Sequence, residues 1–191
     1  MALQRITAPG SACVDLATAK AQCRVDLADD DALITAMILA ASDEAEHLLR
    51  RAILPQQWRL SLDCFVIQTI ELHRPPVTAV DSVKYVDSAG VQQTLVAGTD
   101  YQVSLGHPLF ARLAPAYGKS WPSTRAQLDA VEIDFTAGWA NAGAVPPAIK
   151  QWVLMRVAAY YDNREAWTLG KAIERNSFID RLLDRWRVPS F

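Results

Sequence analysis

The hydrophobic period of this chain changes twice, and that constrains its fold more than any other feature. From about residue 14 to 53, apolar side chains recur at three- and four-residue spacing. From about 56 to 137 they fall on every second residue, and after Pro146-Pro147 the helical spacing returns. A helix buries a stripe and a strand buries one face, so the order reads helices, sheet, helices. The expected class is α+β: a helical bundle formed by N- and C-terminal helices, with an inserted antiparallel β-sheet or small barrel. Residues 1–55 are expected to form the N-terminal helical part, 56–140 the β-rich insertion and 141–191 the C-terminal helical part.

Asp15 is placed to cap a helix from Leu16 to Arg24, with Leu16, Ala19 and Cys23 on one face. A longer helix starts after Asp29-Asp30-Asp31, which reads as a capping cluster. Its apolar positions are Leu33, Ile34, Met37, Ile38, Ala41, Ala45, Leu48, Leu49 and Ala52. Arg50-Arg51 complement its C-terminal dipole, and Pro55 ends it. Further on, "VPPAIKQWVLMRVAAYYDNREAW" starts a helix on proline. Ile149, Trp152, Val153, Val157, Tyr160 and Tyr161 form its stripe, which Leu154, Met155, Ala158 and Ala159 widen. Between Gln151 and Asp162 the only charge is Arg156. Such a helix needs cover on more than one side. In the final "NSFIDRLLDRWRVPSF", Phe178, Ile179, Leu182, Leu183 and Trp186 share a face, beside Arg175, Arg181, Arg185 and Arg187.

In the middle region "QWRLSLDCF" alternates Trp58, Leu60, Leu62 and Cys64 with Arg59, Ser61 and Asp63, as a half-buried strand does. "TIELH" is a short strand closed by Pro75-Pro76. "SVKYVD" and "VQQTL" flank Ser88-Ala89-Gly90, a hairpin with a glycine-containing loop. "DYQVSL" and "LFARL" follow, and in "AVEIDFTAG" Val131, Ile133 and Phe135 face in while Glu132, Asp134 and Thr136 face out.

Catalysis finds little to work with. The 191 residues are 51% hydrophobic with a net charge of −2, so a packed core is available and no global attraction for nucleic acid exists. His47, His73 and His107 lie in no ligand pattern. Cys13, Cys23 and Cys64 have no metal spacing and are expected to be reduced and mostly buried. "YGKSW" lacks the upstream glycine of a phosphate-binding loop, with Leu113 in its place. No cofactor site, signal peptide or membrane span is expected. Charge is unevenly placed: seven acids and no Lys or Arg from Asp26 to Glu46, against six basic residues and four acids from Arg164 onward.

Four stretches carry a likeness to a known family. They are "VDLATAKAQCRVDLADDDALITAMILAASDEAEHLLRRAILPQQWRLSLDCF", "IELHRPPVTAVDSVKYVDSAGVQQTL", "YGKSWPSTRAQLDAVEIDFTAGW" and "VPPAIKQWVLMRVAAYYDNREA". In order and spacing the chain resembles the phage head–tail connector (adaptor) family, also called phage DNA-packaging proteins. The resemblance implies no enzyme. It implies a homo-oligomeric ring at the head–tail junction of a virion, assembled in the host cytoplasm. The ring would extend the portal protein, receive a stopper or tail-completion protein, and pass DNA through its lumen without sequence-specific binding or membrane contact. Neighbouring copies would then cover the excess apolar surface, through Trp152, Met155, Ala159, Tyr160 and Tyr161; the inserted sheet is the other element able to bury it. The basic segment with Arg181, Arg185 and Trp186 would dock on the portal, and the acidic 26–46 helix would line the lumen. Two readings from other classes stay open on the residues alone. One is a DNA-binding packaging factor using the C-terminal arginines. The other is a small ligand-binding or enzymatic module on the β insertion.

Overall fold

The structure, a computed structural model, describes residues 1–65, 68–163 and 177–189. Its chain contains two compact units. One comprises residues 1–10 and 55–139, the other residues 11–54 and 140–191. The first is made of strands and the second of helices, so the class is α+β with a sheet region inserted into a helical one.

The strands are β1 (Ala2–Thr7), β2 (Gln56–Leu62), β3 (Ile70–Leu72), β4 (Val77–Val86), β5 (Gln92–Leu95), β6 (Tyr101–Ser104), β7 (Ala111–Pro115) and β8 (Val131–Ala137). They form two antiparallel sheets, β1-β2-β8-β4-β5 and β3-β7-β6. Strand β8 is central to the larger one. Its residues alternate between buried and half-buried along the whole strand, as its period of two requires. Leu60, Ile133 and Val83 sit side by side across β2, β8 and β4, all at most 1% exposed. On the opposite face, Arg59 donates to both oxygens of Asp134 at 2.7 and 2.9 Å and lies 3.3 Å from Glu132. Hydrogen bonds from Arg59 are the main reason the Asp134 carboxyl is held below its usual range. The β4–β5 hairpin closes through Asp87, whose carboxylate accepts from the Ala89 and Val91 amides and from Gln93. Gly90 supplies the positive φ of 86° that this loop needs.

Two expectations need correction here. Residues 2–7, expected with the helical part, form edge strand β1 on β2. Strand β2 ends at Leu62, and Cys64 is exposed beyond it rather than continuing the buried face. Of the two forms expected for the β region, sheet or small barrel, it takes the first, as two antiparallel sheets.

The helices are α1 (Leu16–Cys23), α2 (Asp31–Leu49), α3 (Pro147–Asp162) and α4 (Ser177–Asp184). Asp15 caps α1, its carboxylate accepting from the Thr18 amide at 2.7 Å. Arg24 and Arg50 end α1 and α2 in the left-handed conformation, returning their amides to the last-turn carbonyls. The core of this unit is Ile34, Ile38, Ala41, Ala45 and Leu49 of α2 with Ile149, Trp152, Val153 and Val157 of α3.

Candidate functional site

Helix α3 asks the sharpest question, because its apolar surface exceeds one stripe. Inside the helical unit it packs on α1, α2 and α4 together. Trp152 is therefore only 1% exposed, with its indole N–H 3.4 Å from an Asp180 carboxylate oxygen. It is a core residue, and its expected place on an open surface is corrected. Met155, Ala159, Tyr160 and Tyr161 are half-buried. The two tyrosines are held by their polar ends: Tyr160 donates to Glu44 at 2.7 Å and Tyr161 to Asp30 at 2.6 Å.

Glu44 is the hub of the α2–α3 seam. Besides Tyr160 it accepts a bidentate pair from Arg156, at 2.6 and 2.7 Å. Burial pulls the Arg156 guanidinium pKa down, but the bonds to Glu44 and Tyr160 outweigh it and raise it. Burial pushes the Tyr160 phenol up, and its bond to Glu44 adds to that. This cluster explains why α3 tolerates a charge at Arg156 in so apolar a helix.

The acidic α2 region is spent in the same way. Asp31 takes Lys20 at 2.6 Å, and the buried Glu46 accepts the Ile53 amide at 2.7 Å. Of the seven acids from Asp26 to Glu46, Asp30, Asp31, Glu44 and Glu46 thus have partners within the helical unit. Nor does the Asp30 side chain cap α2, although Asp30 occupies that position. Sequence periodicity marks where acids fall but not which of them meet a donor from a distant helix.

Arg51 was legible only as a dipole partner of α2. In the fold it is 8% exposed and turns its guanidinium N–H to the Trp186 carbonyl, while the Val188 amide reaches the Leu49 carbonyl at 3.0 Å. Burial lowers the Arg51 pKa. The segment after α4 is thereby fastened to the end of α2, with Leu183 fully buried. Arg181 within α4 and Arg185 just after it are exposed, and the Arg185 guanidinium lies 5.6 Å from the centre of the half-buried Trp186 ring. Arg175 lies outside the described residues.

A cleft of about 750 Å3 opens in the helical unit, between the segment before α1 and the first turns of α3. Two of its polar groups are already engaged: Lys150 donates to the Ala142 carbonyl at 3.2 Å, and the Cys13 sulfur lies 3.4 Å from the Ser42 hydroxyl. Burial pushes the Cys13 thiol up, away from the nucleophilic thiolate. Among the described residues no group of three or more His, Cys, Asp or Glu is placed to hold a metal ion. No helix among them is long and apolar enough to cross a membrane.

What remains is a scaffold, and comparison shows which scaffolds share it. Residues 14–89 match the family of phage gp6-like head-tail connector proteins. The chain is similar to phage head–tail connectors. A chain in the virion of a native gene transfer agent particle superposes on all of this one and 97% of its own length, with TM-score 0.80 and 27% identity. Chains in the neck of the empty particle, computed with C6 symmetry, and of the native particle, computed with C12 symmetry, match over the same shares. Their TM-scores are 0.78 and 0.74, each at 26% identity. Curated protein sequences yield no match. The family and the structural neighbours are structural components of particles, and together they support a structural connector, or adaptor, role.

Proposed function

We propose that this chain is a connector subunit that forms a ring, extends the portal of a tailed phage or prophage, and passes DNA through its lumen without sequence-specific binding. One observation carries the reading: the full-length likeness to chains of a particle neck solved with sixfold and twelvefold symmetry. Closed rings arise when one surface of each copy meets a different surface of the next. A net charge of −2 suits a conduit that must release its cargo. In this reading the chain is not an enzyme and needs no cofactor. It resides at the head–tail junction of the virion after assembly in the host cytoplasm, with a stopper or tail-completion protein on the rim away from the portal.

Arg181, Arg185 and Trp186 are assigned to portal docking. Their support is the anchor at Arg51 and Leu49, which fixes the segment while its arginines stay exposed. On α3, Met155 and Ala159 keep open surface for self-association, with the ring faces of Tyr160 and Tyr161 beside them. Negative-stain imaging of the chain mixed with its cognate portal is the test, with stacked rings as the expected result. Replacing Arg181 and Arg185 by Glu is expected to cut co-sedimentation with portal at least tenfold. Unchanged co-sedimentation overturns the docking assignment, and a mixture without rings or complex overturns the connector reading. Duplex binding with a steep salt dependence would instead favour a DNA-binding packaging factor.

A further inference from the structure

We infer that the outward face of α2, from Ala32 to Ala40, is the surface on which a second copy of this chain packs; this rests on the connector reading above. Between Asp31 and Asp43 the helix carries no charged residue. Its inward face is consumed by Ile34, Ile38 and Ala41, all at most 2% exposed. The side turned away from them holds Ala32, Leu33, Ala36, Leu39 and Ala40, all exposed. Leu33 is 38% and Leu39 56% exposed, and Leu27, just before the helix, is 71% exposed. The outer face of an ordinary amphipathic helix is charged or polar. On this face charge returns at Asp43, in the second half, and at Arg50 just past the helix end. An apolar patch rimmed by polar residues on a soluble chain marks an interaction site.

The chemistry of the patch selects the occupant. DNA and an acidic protein surface both call for cations, and the stretch has none. A second copy is the partner that a rotationally symmetric neck supplies to every subunit, and chains matching this one over its full length are found in such necks. Alanines at 32, 36 and 40 follow one i, i+4 row, so a facing element can approach to about 8–10 Å from the helix axis, with Leu33 and Leu39 as flanking ridges. Because the contact closes by rotation, the receiving surface on the next copy is a different patch. This places the main self-association surface on α2, whereas the most apolar residues of α3 are sealed within the helical unit.

The test uses the full chain in assembled necks, with a photoreactive benzoylphenylalanine at Leu39. Irradiation is expected to give a species of twice the chain mass whose peptides all come from this chain. A paired variant, Ala36→Glu with Leu39→Glu, is expected to lower the assembled fraction at least tenfold while leaving the helical circular dichroism unchanged. Crosslinking to another protein, absence of a crosslink while the chain is present in the neck, or normal assembly of the paired variant overturns the inference and leaves the connector reading intact. Absence of the chain from the particle overturns both.

Discussion

Replacing Glu44 by alanine removes three hydrogen bonds between α2 and α3 in one step. Two come from Arg156 at 2.6 and 2.7 Å and one from Tyr160 at 2.7 Å. A hydrogen bond to a charged group contributes about 1.5–3 kcal/mol when sheltered, whereas an exposed ion pair contributes about 0.2–1 kcal/mol. The side chains of Arg156 and Glu44 are 40% and 30% exposed, so solvent screens the pair and the lower range governs it. Taken with the tyrosine bond, the expected loss is about 2 kcal/mol. For a chain of this length that lowers the thermal midpoint by about 4–8 °C. Circular dichroism at 222 nm follows the helices and reads the change directly. A cycle with Arg156→Ala isolates the pair, with an expected coupling of about 1 kcal/mol. A loss below about 0.5 kcal/mol for Glu44→Ala would refute the reasoning, because apolar packing alone would then hold the seam.

Trp152→Ala is expected to cost about 3–5 kcal/mol of stability, as truncating a fully buried aromatic does. Urea unfolding checks it, and a near-neutral result would return Trp152 to the surface. Asp134→Asn tests the sheet. The Asp134 carboxyl titrates below its unfolded value of about 3.9, so its stabilising contribution is complete above roughly pH 5 and fades as pH falls through the folded value. The stability gap between wild type and variant should therefore narrow on acidification; a gap that stays constant from about pH 7 into the acid range where the carboxyl protonates would exclude the Arg59 bond as its source.

Much of the architecture was legible because period reports burial directly. Strand β8 alternates as its sequence does, and the inward positions Ile34, Ile38, Ala41, Ala45 and Leu49 are buried as their spacing requires. Leu33 shows the limit: it fits the apolar pattern of α2 but lies at its margin, so periodicity could not say whether it faces core or solvent. Strand β1 was missed because an edge strand with most residues exposed carries no alternation to read. The functions of Glu44 and Arg51 were hidden for another reason. Each depends on partners more than 100 residues away in sequence, at Arg156 and Trp186, which no local pattern encodes. Trp152 was recognisable as apolar, yet nothing in its own helix tells that α1, α2 and α4 all converge on it.

The strand order carries a consequence for anyone who trims the chain to its recognisable part. The family match covers residues 14–89, which retains β2 and β4 but drops β1 and β8. Among the described residues β8 alone joins β2 to β4, so the fragment would hold two strands stripped of the neighbour they share, with their backbone donors and acceptors turned to water or to each other's copies. The stretch that carries the family match is thus not a stretch that can stand alone. Its sheet is completed only by residues that lie on both sides of the match.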